Sequence, residues 1–331
     1  MNNTHHSSQS PLPLGGVGGG FLVTIAIPAY KATYLEESLR SAVNQTYKNI
    51  EIVVVNDHSP YDITPIVESF HDERIRYYIN EVNIGGKDLV AQWNKCLSYA
   101  QGEYFCLLCD DDSYEPQFVE TMLQLAEQYP DVDVFRARMR KIDNEGKTID
   151  LFPASPSYET AYDYMWHFLR GCRSQTVSEF MLRTSHVKET GGYYSLPRAW
   201  GSDSLSVFLF AMDKGIASCN SLLASFRQSD ENISFNFKDD AREKMQAAEL
   251  YRKKCLELIA ACKDEDLKTM LKKAEPENYN KRVLYILNMS KLSSFLWIIF
   301  HHHVGIKLLL NSCFSRIAMF LHPVTAFFRR H

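Results

Sequence analysis

The chain has 331 residues, 45% of them hydrophobic and 23% charged, and a formal net charge of −4. That balance suits a globular protein with one large or two modest cores, and it excludes wholesale disorder and collagen-like repetition. The charge is uneven: residues 241–331 hold 16 Lys and Arg against 8 Asp and Glu, which leaves 20 against 32 for residues 1–240.

Residues 1–20 are rich in Asn, His, Ser, Pro and Gly and read as a flexible leader outside the fold. From there the pattern alternates. Leu22 to Ile27 reads as a buried strand stopped by Pro28, and Leu35, Leu39 and Val43 mark one face of a helix. Ile50 to Val55 is a second strand, with Thr64-Pro65 opening the next helix as N-cap and first helical residue. Ile75 to Ile79 is a third strand. Leu89, Trp93, Leu97 and Ala100 recur at helical spacing, and Tyr104 to Leu108 is a fourth strand after Gly102. These βαβ passages predict an α/β fold with a mostly parallel sheet and a ligand crevice at the carboxyl ends of its strands. Beyond them the spacing predicts a strand over 132–138, a turn over 143–146, a helix over 161–170, a strand over 176–182, a helix from Leu205 to Gly215, and two short strands ending near Phe226. After residue 236 or so the chain turns helical and basic, and a domain boundary is expected there, dividing a catalytic domain over 21–235 from a helical region over 236–331.

The residues that carry chemistry stand where the strands end: Pro28-Ala29-Tyr30, then Asn56-Asp57-His58-Ser59, then Cys109-Asp110-Asp111-Asp112. Three successive carboxylates repel one another unless a cation offsets them. Hard oxygen ligands of this kind suit Mg²⁺ or Mn²⁺ held jointly with a substrate's phosphates, the plain alternative being a solvated acidic turn. Cys106 and Cys109 have CxxC spacing without a second pair, so they read as core thiols rather than a zinc site. The eight cysteines show no disulfide-scaffold density, which points to a reducing cytosol. His301-His302-His303 lacks the other ligands of a structural metal site.

The order and spacing of these segments resemble glycosyltransferase family 2, whose members have the nucleotide-diphospho-sugar transferase fold called GT-A. The resemblance runs over about residues 21–235, through Val-Thr-Ile-Ala-Ile-Pro-Ala-Tyr, Ser41 to Tyr47, Val-Val-Val-Asn-Asp-His-Ser, Asn83-Ile84-Gly85 and Gly102-Glu103-Tyr104 to the Asp triplet and Pro116. It implies that Pro28, Ala29 and Tyr30 wall a nucleoside pocket and that Asp57 accepts a hydrogen bond from the base. A carboxylate acceptor matches the N–H edge of uracil or thymine, which favours a pyrimidine nucleotide, and the expected donor is a UDP-sugar. Asn83 and Lys87 fall where such enzymes close a loop over the nucleotide. The family's metal motif is commonly Asp-x-Asp-Asp. Cys109 stands where its first Asp would be; Asp111 is the expected direct ligand, with Asp112 at the metal or its waters, and Asp110, at the variable position, either substitutes for the missing acid or lies toward the bound sugar nucleotide. Asp203, after Gly191-Gly192-Tyr193-Tyr194 and at the start of a helix, is the expected general base, unless it merely N-caps that helix; Ser202 replaces the acid that usually precedes it. Arg227 is expected either to offset charge on the leaving diphosphate or to form a surface salt bridge, and Asn232-Ile233-Ser234 to cover the diphosphate.

The implied activity is inverting, metal-dependent sugar transfer to a hydroxyl of a glycan or lipid-linked saccharide in bacterial surface polysaccharide synthesis. The basic, acid-free stretch from Asn278 onward, with an amphipathic pattern over 305–321 and Phe295, Trp297 and Phe300 before it, suggests contact with a membrane surface, against the alternative of a helical hairpin packed on the protein. The expected location is cytoplasmic, peripheral at the inner face of the cell membrane, and no nucleic-acid partner is expected. A sugar nucleotidyltransferase is disfavoured because Pro-Ala-Tyr-Lys-Ala-Thr replaces a glycine-rich phosphate loop. A nucleotide-sugar-binding scaffold that has lost catalysis is the alternative raised by Cys109 and Ser202.

Overall fold

The computed structural model describes residues 20–229, 240–302 and 312. The expected leader, Asn232-Ile233-Ser234, His303 and the amphipathic pattern over 305–321 therefore lie outside the described residues.

The expected alternation forms. Strands β1 (Val23–Ala29), β2 (Ile50–Asn56), β3 (Ile75–Ile79) and β4 (Tyr104–Leu107) alternate with helices α1 (Leu35–Val43), α2 (Thr64–Glu68) and α3 (Leu89–Tyr99). Short β5 (Ser113–Tyr114) and α4 (Phe118–Gln128) lead to β6 (Val134–Ile142), β7 (Thr148–Leu151), β8 (Tyr158–Glu159), α5 (Ala161–Leu169), β9 (Phe180–Arg183) and α6 (Thr184–Glu189). A 3₁₀ turn at Pro197–Ala199 precedes α7 (Ser202–Ala211) and β10 (Ile216–Arg227), and α8 (Ala241–Ala261), α9 (Glu265–Met289) and α10 (Leu292–His301) follow.

One sheet runs through the molecule in the order β3-β2-β1-β4-β9-β6-β10-β5, with β7 on β6 and β8 on β10. The parallel expectation holds for β3-β2-β1-β4 and for β6 with β10, while β9 lies antiparallel between β4 and β6. Pro28 does not stop β1, because the ladder to β4 ends at the Ala26–Leu107 pair and its missing N–H costs no bond on that side. The two short strands expected near the end are one strand, β10, whose register shifts between Cys219 and Leu222 and between Leu222 and Ala224 conceal its continuity. α2 has Ile63 rather than Thr64 as its N-cap, with proline still in the first turn.

Two apolar layers cover the sheet. One packs α1 and α4 on one face through Leu35, Leu39, Phe118 and Met122. The other packs α3, α5 and α7 on the opposite face and continues without a break into Ala247, Tyr251, Cys255 and Ile259 of α8 and Leu271 and Ala274 of α9. The expected boundary near residue 236 therefore does not separate two cores. Phe295 and Ile298 of α10 are buried against α8 and α9, and the Trp297 ring lies under the Arg242 guanidinium at 4.8 Å, so these residues of the segment expected to meet a membrane make contacts within the protein. Among the described residues no helix is long and apolar enough to cross a membrane.

Candidate active site

Because β1 and β4 are paired neighbours, the segments that follow them leave the sheet side by side. Asp110 turns back on the first. Its Oδ2 accepts the backbone N–H groups of Tyr30 at 2.8 Å and Lys31 at 2.7 Å, and the Lys31 ammonium lies 3.3 Å from its Oδ1. The same ammonium donates to Asp111 Oδ2. Burial works against the Lys31 charge, but Asp110 and then Asp111 outweigh it and its pKa is raised. Asp110 thus holds the strand-one loop in place, where the sequence suggested a side chain facing the sugar nucleotide.

Asp112 is pinned from two sides. Its Oδ2 accepts from the Ser178 hydroxyl at 2.6 Å and its Oδ1 from the Arg227 backbone N–H at 3.1 Å, while the Ser178 hydroxyl also accepts the Cys109 N–H at 3.2 Å. Burial and the neighbouring Asp111 charge push the Asp112 carboxyl up to about 8. Ser178 just precedes β9, and its neighbour Glu179 forms a buried 2.6 Å ion pair with Arg136 of β6.

Arg227, expected to face a diphosphate, is 1% exposed, and its guanidinium is committed within the protein. It donates to the carbonyl oxygens of Asp111, Asp143 and Asn144, pairs with Glu37 at 2.6 Å and stacks on the Tyr34 ring at 4.1 Å. It braces the Asp loop from behind.

Asp57 is buried at the end of β2. Its Oδ1 accepts from the Asn80 amide at 2.9 Å and the Ile84 N–H at 2.8 Å, and its Oδ2 from the Gly85 N–H at 2.6 Å. It ties down the loop that carries Asn83, whose Oδ1 caps the Gly86 N–H, and the exposed Lys87. A Cβ on Gly85 would stand 2.8 Å from Asp57 Oδ2, so the close approach needs glycine. Pro28 and Ala29 line the end of β1, and the Tyr30 ring is 38% exposed beside them.

Asp203 lies in the first turn of α7, whose N-cap is Gly201, so the capping alternative does not describe it. Burial raises its carboxyl above the ordinary value, opposed by the Ser204 backbone N–H and the Arg282 charge. Burial also raises Glu179 in spite of Arg136, and the Asp203 charge adds to that push, so Asp203 shares an electrostatic field with the segment that holds Asp112. The loop before α7 has left-handed backbone at Arg198, Ala199 and Gly201. It is held from the C-terminal helices by Arg198 with Asp240 at 3.4 Å, Lys244 over Trp200 at 4.9 Å and Trp200 stacked on Tyr285 at 5.6 Å.

Cys109, Asp111 and Asp112 can bring one ligand atom each within 4.8 Å of one another, while Cys106 is core. Two buried carboxylates fit a hard divalent cation that completes its shell on phosphate oxygens. The Cys109 thiol, its pKa pushed far up by burial, is a poor ligand for such an ion. His302 pairs with Glu249 at 2.6 Å. Lys31, Ser178 and Glu37 were not singled out from the sequence. A lysine one residue past the Pro-Ala-Tyr of strand one, in a chain with an Asp run after another strand of the same sheet, was the available signal for the first. The other two depend on β9 and α1 being brought against the Asp loop.

The family profile described as Glycosyl transferase family 2 matches residues 24–178. Over 220 residues the chain is 26% identical to a Bacillus subtilis glycosyltransferase, TuaG, named for teichuronic acid biosynthesis, with 65% of this chain and 82% of that one covered. It is 37% and 39% identical over shorter stretches to uncharacterized glycosyltransferases of Rickettsia conorii and Rickettsia typhi, and spans 21% and 34% of their lengths. Among solved structures, S. aureus TarS 1-349 in complex with UDP-GlcNAc superposes with a TM-score of 0.62 at 14% identity, covering 83% of each chain. The mannosyltransferase PcManGT of Pyrobaculum calidifontis, in complex with GDP-Man and Mn²⁺, gives 0.54 at 15% identity, covering 90% of this chain and 80% of that one. These likenesses establish the GT-A fold.

Proposed function

We propose that the chain, a member of glycosyltransferase family 2 by the match over residues 24–178, is an inverting transferase of a sugar from a UDP-sugar to a glycan hydroxyl. The observation that carries the reading is that Asp57 stands at the carboxyl end of β2 and Asp111 and Asp112 after β4, the two strands that flank β1, with Asp203 in the first turn of α7. A divalent cation, Mn²⁺ or Mg²⁺, held by Asp111 and Asp112 would offset the charge of the departing diphosphate.

The chain's own residues do the rest. Asp203 takes the proton of the acceptor hydroxyl as that oxygen bonds to the anomeric carbon, and the bond from that carbon to the diphosphate oxygen breaks with its electron pair leaving on UDP. A carboxyl raised by burial is a stronger base than an exposed one, which suits this task. Asp57 keeps acceptor capacity on Oδ2, which takes one N–H from Gly85, and this supports a pyrimidine base with an N–H edge. Tyr30 offers its exposed ring to that base, and Lys87 lies on the loop that would close over the phosphates. A surface polysaccharide or its lipid-linked precursor as acceptor is supported by the likeness to TuaG and the basic C-terminal composition. The same composition supports a place at the cytoplasmic face of a membrane.

The test is thermal stabilisation by UDP, GDP, dTDP and CMP, each with and without Mn²⁺, since a ligand of the folded state raises the melting temperature by mass action. A Mn²⁺-dependent shift with UDP alone is expected. No shift with any of them in a folded sample would overturn the reading.

A further inference from the structure

We propose that Lys31 is a built-in competitor for the metal position: its ammonium neutralises Asp110 and Asp111 until a nucleoside diphosphate draws it away, so the chain takes up metal and nucleotide together and metal alone only weakly. This rests on the metal-diphosphate reading above.

The geometry carries it in three steps. The Lys31 ammonium touches two carboxylates at once, Asp110 Oδ1 at 3.3 Å and Asp111 Oδ2 more closely, and the second is the residue expected to ligate metal. A divalent cation on that oxygen would stand beside an ammonium of the same sign in a site where both carboxylate side chains are 6% exposed, so the two cations exclude each other.

Next, the other nearby cation cannot take over the ammonium's task. The Arg227 guanidinium is spent on Glu37 and on three backbone carbonyls, that of Asp111 among them. Asp112 accepts from neutral donors, the Ser178 hydroxyl and the Arg227 backbone N–H, one on each oxygen. Departure of the Lys31 ammonium therefore frees carboxylate charge on Asp111 for a metal.

Finally, the ammonium can leave without disturbing the loop. The Lys31 backbone is fixed independently by its N–H on Asp110 Oδ2, so only the flexible four-carbon stem has to swing. A diphosphate entering beside Tyr30 supplies the replacement partner. Because coupling between two ligands is reciprocal, nucleotide must tighten metal by the same factor as metal tightens nucleotide.

The experiment counts free Mn²⁺ by its electron paramagnetic resonance signal during titration of the full chain, with and without UDP, after correcting for the complex UDP itself forms with Mn²⁺. The wild-type protein is expected to bind Mn²⁺ alone weakly and at least about tenfold more tightly with UDP, the lower end of ordinary allosteric coupling. Lys31→Gln is expected to bind Mn²⁺ alone at least about tenfold more tightly than wild type, with the UDP effect shrunken. Lys31→Met serves if the first variant does not fold, as judged by circular dichroism. A folded variant that binds Mn²⁺ alone no more tightly than wild type overturns the role of Lys31 while leaving the metal-diphosphate reading intact. Wild-type protein that takes up no Mn²⁺ even with UDP overturns both.

Discussion

Two carboxyl groups show how burial, rather than residue type, sets what an acid does here. Asp203 is raised by burial, so transfer should fall away on the acid side at a pH above the ordinary carboxylate value of 3.8, because a base whose folded pKa is raised is already protonated there. A pH profile of kcat on the wild-type protein checks this, and an acid limb at or below that value would contradict it. Asp203→Asn should lower kcat by roughly 10²- to 10⁴-fold while UDP still raises the melting temperature. Turnover that survives the change would remove Asp203 from the role of base; a wild-type protein that binds UDP without any turnover would instead favour the scaffold alternative. Asp112 gives a stability signature. Burial and the Asp111 charge push its carboxyl from 3.8 up to about 8, so the folded state binds the proton more tightly and stability is lost as pH rises between those values. In chelator, Asp112→Asn should flatten that loss and melt a few degrees higher than wild type at pH 8, with little difference near pH 4. Calorimetry at the two pH values checks the sign.

At the scale of elements, the site depends on β9 standing between β4 and β6. The Ser178–Glu179 segment enters β9 carrying the hydroxyl that holds Asp112 and the carboxylate that pairs with Arg136. Glu179→Ala leaves a buried guanidinium unpaired and should cost about 3–5 kcal/mol in denaturant unfolding, far more than an exposed acid would. Gly192 is a second fixed point. It has φ +80°, and a Cβ there would stand 2.4 Å from Asn94 Oδ1, the side chain that also accepts the Tyr193 N–H. Gly192→Ala should therefore be destabilising by more than about 1 kcal/mol, measured the same way, whereas Gly191→Ala faces backbone strain in open space. The sequence made β1 to β4 and their helices legible because period and turn chemistry are local there. It did not reveal β9's antiparallel place or the unity of β10, since the first is a matter of which distant strands pair and the second of register shifts that break the apparent period. The acids of the candidate site stood out as residue types. Their partners did not: Lys31 faces Asp111 across 80 residues of chain, and Arg227 reaches the same loop across 116.

For the whole molecule, the change of composition near residue 236 suggested a seam that the packing does not have. Charge and hydropathy along the chain report what faces solvent, and α8 and α9 expose charged faces while burying Tyr251, Cys255, Ile259 and Leu271 in the same apolar layer as α5 and α7. Ending the chain at residue 239 would strip that layer, so the shortened protein should be insoluble or lose its cooperative thermal transition; a soluble fragment with an unchanged transition would show that the catalytic domain stands alone. The clasp between these helices and the left-handed turn at Arg198 and Ala199 has a consequence for descent. A hairpin that grips the loop leading to Asp203 cannot be exchanged between relatives as a free-standing cassette, because Asp240, Lys244 and Tyr285 would have to arrive with matching residues at Arg198 and Trp200. Lineages that recombine this tail should keep those five positions as a set, and hybrids joined at residue 239 should recover activity only when the turn and the hairpin come from the same parent.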